Sequence, residues 1–189
     1  IVPRMHDTAI VDIGLTDANT PFISGLVDDV GDIIVGNDAD GELVVANAGE
    51  LHTQAITLGM TSGVTGTFLL GNGYVTVGNL NIGINGTGKL NIDNGLLHCT
   101  GSLMFGLSSD NQIDLESGVL ALNGDQTANV QSWIDSGKLT AYEGRGVVMY
   151  NYNQSLAGLT IIRGASVDYN EDGVINLPDF ANFAELWLK

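Results

Sequence analysis

Gly66 to Gly106 reads GTFLLGNGYVTVGNLNIGINGTGKLNIDNGLLHCTGSLMFG, and the reading of this stretch decides the fold. The same phrase occurs twice within it. A strand-like run opens on glycine (GTFLL, then GKLNI), a second glycine leads an alternating run (GYVTV, then GLLHC), and a third run closes on glycine (GNLNIG, then GSLMFG). Outward in both directions, GELVVANAGELHTQAITLG from Gly41 and NQIDLESGVLALNG from Asn111 continue the pattern. Successive starts at 41, 66, 88 and 111 lie 25, 22 and 23 residues apart. The column Gly49, Gly73, Gly95, Gly118 is spaced 24, 22 and 23, and the column Gly36, Gly59, Gly83, Gly106 is spaced 23, 24 and 23. One period kept by three columns marks a repeat architecture.

Between the glycines the apolar residues alternate, as strands with one buried face require. Leu43 and Val45 align with Phe68 and Leu70, Leu90 and Ile92, then Ile113 and Leu115. A second segment aligns Leu51, Val75, Leu97 and Leu120, and a third aligns Ile33, Ile56, Leu80 and Leu103 beside Val35, Leu58, Ile82 and Phe105. Each repeat thus supplies three short strands, none of which can bury its apolar face alone. Stacking equivalent strands at about 4.8 Å buries all of them at once. The expected fold is all-β: a parallel β-helix, or three-sheet β-solenoid, of about 22 to 25 residues per coil, with glycine at corners that need φ > 0. An antiparallel sandwich also has short strands and frequent turns, but it requires no fixed triplet period.

An open solenoid exposes strand edges at its ends, so caps are expected. Residues 1–30 read as an N-terminal cap or first coil, with a strand-like Ala9-Ile10-Val11 and an irregular acidic stretch holding Asp28, Asp29 and Asp32. Residues 31–125 hold the repeats. In 126–164 the period breaks: Val130, Trp133 and Ile134 predict a short amphipathic capping helix closed by Gly137, followed by strands near 138–142, 147–152 and 159–162. Trp133 is expected to be a buried cap residue rather than a stacking platform. Residues 165–189 form a separate C-terminal unit.

The chain has 189 residues, 22 acidic against 6 basic, a net charge of −16, 26 Gly and 44% hydrophobic residues. That hydrophobic fraction is too high for a disordered acidic tail. Six cationic side chains offer little to displace counterions, which argues against nucleic acid and anionic membrane as partners. One Cys makes no internal disulfide and no cysteine-based zinc site. There is no run of 18 apolar residues and no signal-like opening, so any export signal is expected to have been removed or never present.

Asp168 to Asp179, DYNEDGVINLPD, places oxygen-bearing side chains at loop positions 1, 3, 5, 9 and 12, with Gly173 at position 6. A hard divalent cation needs six or seven oxygens, and a twelve-residue loop delivers them from alternating positions. The expected calcium ligands are Asp168, Asn170 and Asp172 through side chains, Val174 through its carbonyl, Asn176 through water and Asp179 closing the shell. Asn176 and Pro178 then start a helix, DFANFAELWL, whose Phe180, Phe183, Ala184 and Trp187 form an apolar stripe. This EF-hand-like loop and helix resembles one calcium-binding repeat of a type I dockerin, over about 22 residues. Cohesin-docking dockerins carry two such repeats, and one is present here. The glycine-aligned body resembles the β-helical repeats of large secreted or surface proteins of environmental bacteria, which implies an extracellular or cell-surface setting.

β-Helices host polysaccharide lyases and hydrolases, which makes the charged and nucleophilic side chains of the repeats candidates for catalysis. Lys89 is the only Lys or Arg in the repeats, and its equivalents Glu42, Thr67 and Gln112 build no cationic cleft for a polyuronate. Asp93 and Glu116 occupy equivalent outward places on adjacent coils with Asp114 near, a carboxylate pair of the kind glycoside hydrolysis uses, or a solvated acidic face. His52 and His98 sit two coils apart, near 10 Å, too far for one metal. Cys99 aligns with inward positions and reads as a buried structural thiol. Asn85 and Asn153 open glycosylation sequons. The expectation is a secreted, non-catalytic structural or adhesive solenoid, stabilised by calcium and self-associating head to tail or binding another extracellular protein. The alternatives are a carbohydrate-binding module using Tyr74, or a polysaccharide-active enzyme using Asp93 and Glu116.

Overall fold

The structure, a computed structural model, describes residues 7–13 and 20–168. The chain opens with β1 (Thr8–Val11), β2 (Phe22–Ile23), β3 (Leu26–Val35), β4 (Gly41–Val45) and β5 (Glu50–Leu58). It continues with β6 (Thr65–Leu70), β7 (Tyr74–Ile82), β8 (Thr87–Ile92), β9 (Leu96–Cys99), β10 (Leu103–Phe105), β11 (Gln112–Leu115) and β12 (Val119–Asn123). Helix α1 (Thr127–Asp135) follows, then β13 (Leu139–Ala141), β14 (Val147–Tyr152) and β15 (Leu159–Ala165).

The first face of the solenoid is a six-stranded sheet, β13-β11-β8-β6-β4-β2, parallel throughout. Its registers are those read from the glycine alignment: Leu43 with Phe68, Phe68 with Leu90, and Leu90 with Ile113. On the second face Leu51 stacks on Val75, Val75 on Leu97 and Leu97 on Leu120, and on the third Ile56 stacks on Leu80 and Leu80 on Leu103. The fold is therefore a parallel β-solenoid. Its inward columns form one continuous core in which Phe68, Leu90, Leu51, Ile56 and Leu80 have no exposed surface. Burying each such side chain contributes about 1.5–3 kcal/mol, and a rung gains it only by lying on another rung.

The structure departs from three separate sheets. The second and third faces belong to one nine-stranded sheet, because β5 and β7 run nine residues around a corner with almost unbroken pairing. Leu51–Thr53 pair with Val75–Val77, and Ala55–Leu58 pair with Asn79–Ile82, with only Gln54 and Gly78 stepping out of the ladder. The other corners are tighter. Gly59 has φ +63, and a Cβ there would overlap the Thr87 carbonyl, so only glycine lets one coil lie on the next at this point.

The acidic stretch of the first coil is also more regular than its composition suggests. Asp28, Asp29 and Asp32 lie within β3, and the irregularity is confined to a bulge between Val27 and Val30, where Asp29 takes φ 56.

After β12 the architecture changes. α1 buries Val130, and Trp133 packs against Phe105 with ring centroids 5.5 Å apart. Gly137 N donates to Ile134 O and Lys138 N to Trp133 O, the paired C-terminal bonds of a Schellman motif, with Gly137 at φ +72. β15 then returns antiparallel to β12, and β14 pairs antiparallel with β15 to form the edge of the sheet.

Candidate functional site

The acidic cluster stands on the first face. Because Ile92 pairs with Leu115, the residues that follow, Asp93 and Glu116, lie on neighbouring rungs. Burial pushes the Glu116 carboxyl above its ordinary range, and the adjacent Asp93 adds to the shift by charge and by a hydrogen bond, with Asp114 and Glu143 contributing charge.

Asp114 does not belong to a solvated face. It is buried, its Oδ1 accepts from Thr140 Oγ1 at 2.5 Å, and its two oxygens accept from Glu143 N at 3.0 and 3.1 Å. Tyr142 and Glu143 both take positive φ, 51 and 57, so this carboxylate holds a left-handed turn in place. Its nearest tasks are structural.

On the second face His52 lies between two acids: its Nε2 is 2.8 Å from Glu50 Oε1 and its Nδ1 is 3.2 Å from Asp28 Oδ1. Register places Thr76 between His52 and His98, and His98 Nε2 is instead 2.9 Å from Asn123 Oδ1. The two imidazoles therefore serve separate local contacts. Cys99 is fully buried, its thiol 3.5 Å from the carbonyls of Gly78 and Ser102, and burial pushes its pKa up, away from nucleophilic use.

A shallow groove runs along the corner between the first and second faces. It is lined by Glu50, Asn72, Tyr74, Asn94, Leu96 and Ser117, so one ring and a row of amides and a hydroxyl lie along the solenoid axis beside one carboxylate. Tyr74 is 38% exposed, and His52 meets its ring edge-on at 6.1 Å. A cleft at the opposite corner is lined by Thr87, Lys89, Asp110 and Gln112, so Lys89 has acidic and neutral neighbours but no second cation among the lining residues.

The residues with the clearest roles are ones that sequence reasoning did not single out. Asn47 N donates to Asn72 Oδ1 at 2.6 Å, Thr65 N to Asp40 Oδ1 at 2.7 Å, Asn37 N to Asp12 Oδ1 at 2.5 Å, and Ser102 N to Asn79 Oδ1 at 3.1 Å. Each bond spans 23 to 25 residues, one coil. Asn111 is the most enclosed: fully buried, its Oδ1 accepts from Gly88 N at 2.9 Å and its Nδ2 donates to Gly83 O at 3.1 Å. The available signal was an Asn or Asp at a corner, one period from another polar corner. Of the sequon residues, Asn85 is exposed and donates to Met60 O, while Asn153 Oδ1 accepts from Gly158 N inside the β14–β15 turn.

For the proposed calcium loop, Asp168 is the first ligand and the last described residue, following β15 after Ser166. Asn170, Asp172, Val174, Asn176 and Asp179 lie outside the described residues. Among the described residues no three His, Cys, Asp or Glu side chains are grouped to hold a metal ion, and no helix is long and apolar enough to cross a membrane.

The fold thus defines the class, a parallel β-solenoid closed by an antiparallel hairpin. In comparisons with known proteins, the chain matches no family model, no curated protein and no solved structure.

Proposed function

We propose that this protein is a secreted, non-catalytic structural or adhesive module of an extracellular matrix, cell surface or fibre, with a calcium-stabilised C-terminus. The observation that carries the reading is the use of corner polar groups as staples between coils, which commits Asp12, Asp40, Asn72, Asn79, Asn111 and Asp114 to holding rungs together. A rod built this way offers long outer faces to a partner. Met104 is exposed on the third face, and the corner that follows presents Ile84 and Leu107, of which Leu107 is completely exposed. Ile84 and Leu107 occupy equivalent places one rung apart, since Ile82 pairs with Phe105, and a cluster of this kind marks a contact surface. Association of copies end to end, through contacts that do not close, yields filaments.

Sedimentation velocity over a concentration series, with calcium and with chelator, tests the reading. Association that weakens in Leu107→Lys is expected; a strictly monomeric protein that also binds no extracellular material would overturn it. The groove at Tyr74 favours a second reading, a module for neutral glycans. Under that reading, retention on insoluble polysaccharide would be lost in Tyr74→Ala.

A further inference from the structure

Strand β14 ends the nine-stranded sheet. Asn153 N donates to Leu159 O, which fixes the phase of the β14–β15 ladder: Asn151, Met149 and Val147 bond to β15, so the backbone groups of Val148, Tyr150 and Tyr152 point away from it. Gly146 N, which points the same way, is taken by Ala141 O. Beyond it, no described residue bonds the outward N–H and C=O groups of Val148, Tyr150 and Tyr152. Helix α1 lies on the inner face of the strand, where Tyr150 Oη donates to Gln131 Oε1 and Val148 and Tyr150 pack against the core. On the outer face Val147 and Met149 are exposed, as is Tyr152 at the strand's end.

An open edge of this kind is a template for another strand, and natural edges are commonly blunted by charge, proline or a bulge. β14 has none of these: VVMYNY is uncharged, and its pairing with β15 runs without a shift from Val147 to Tyr152. The occupant that fits is a second copy of the same strand. Set antiparallel about a two-fold axis through Tyr150, Val148 faces Tyr152 of the second copy, Tyr150 faces Tyr150, and Tyr152 faces Val148. Every outward group then meets an outward group, and each opposed pair exchanges two bonds. Aromatic and β-branched side chains are opposed, and no charge meets a like charge. The other edge of the sheet, β1, is only four residues long and would leave part of β14 unbonded.

The charge distribution points the same way. Residues 1–125 hold 15 acids against two bases, whereas residues 126–165 hold Asp135 and Glu143 against Lys138, Arg145 and Arg163. Two copies therefore meet less like-charge repulsion where their closing units face each other than where their repeats do. We propose that two copies of this chain join through their β14 edges, running antiparallel, to form one continuous sheet across a two-fold axis. The contact closes on itself, so it is distinct from the Leu107 corner and does not depend on the function proposed above.

Met149 and Asn151 test the register. The two-fold sets each opposite the other as a non-hydrogen-bonded pair with Cα atoms about 4.5 Å apart, while each lies about 7–8 Å from its own counterpart. Met149→Cys and Asn151→Cys proteins are prepared separately and mixed under mild oxidation; Cys99 is buried and takes no part. The mixture should give a disulfide-linked dimer, and either variant alone several-fold less, since Cα atoms more than about 7 Å apart are not bridged without backbone movement. The disulfide reads β14 alone, so association through Leu107 neither mimics nor hides it. Sedimentation equilibrium of the unmodified chain should show a monomer–dimer equilibrium that Met149→Lys weakens about ten-fold and Thr76→Lys, on the second face, leaves unchanged. A chain that is monomeric at every concentration, equal linkage in the mixture and in the single variants, or linkage of Met149→Cys to Ile10→Cys, on the exposed side of β1, in place of Asn151→Cys would overturn the proposal.

Discussion

The repeat body and the closing unit solve the same problem in opposite ways. In the body, β6, β8 and β11 are interchangeable rungs: each pairs in parallel with the next, and each leaves a fresh edge for another. In the closing unit, β15 reverses direction against β12 and β14 folds back on β15, so the parallel ladder of the second face stops there. Repetition makes the core continuous but never finishes it. Antiparallel return ends the ladder within about 40 residues, at the cost of an edge strand, VVMYNY, that carries no charge. Stability in the body should accordingly depend on stacking columns, and in the closing unit on local turn geometry.

The sharpest way to break this contrast is to hollow one column. Phe68 is fully buried between Leu43 and Leu90, and Phe68→Ala should lower unfolding stability by about 3–5 kcal/mol, read by urea titration. A loss below about 1 kcal/mol would mean that the rungs do not share a core. Removing a staple should cost less: Asn111→Ala leaves Gly88 N and Gly83 O without their partner, and about 1–3 kcal/mol is expected from the same titration. In the closing unit, Gly137→Ala places a side chain at φ +72, and about 1 kcal/mol is expected with no change in the body's amide exchange.

The smallest effect should be electrostatic. Glu116 has its pKa raised in the folded protein, so the fold binds its proton more tightly than the unfolded chain does. Stability therefore falls as pH rises from the ordinary glutamate range through the raised value, and the penalty is constant above it. Glu116→Gln should stabilise the protein slightly at neutral pH and lose that advantage below the ordinary range, which melting curves at stepped pH would show.

Much of the body was legible because alternation and period act together: Leu43, Phe68, Leu90 and Ile113 fall in register with no shift from the glycine alignment. The merging of two faces into one sheet was not. Gln54 and Gly78 look like corner residues, and nothing local says that the ladder passes around them almost intact. Strand direction after Gly124 was equally hidden, since the alternation of LTIIRGA is the same in either sense. At the acidic cluster, adjacency of Asp93 and Glu116 followed from register, whereas the burial of Asp114 depends on Glu143 N, 29 residues away. Contacts outside the repeat period leave no mark in a periodic reading. Of the expected calcium ligands only Asp168 falls among the described residues.

Everything rests on like strands lying side by side in the same direction. Nuclear Overhauser spectroscopy of the isotopically labelled protein tests this at Thr67, Lys89 and Gln112, which the register stacks in successive rungs. Contacts between these strands at the one-coil offset, with no close Hα–Hα pairs, are the predicted parallel pattern. Close Hα–Hα pairs between the same strands, or no contact across them, would contradict the solenoid.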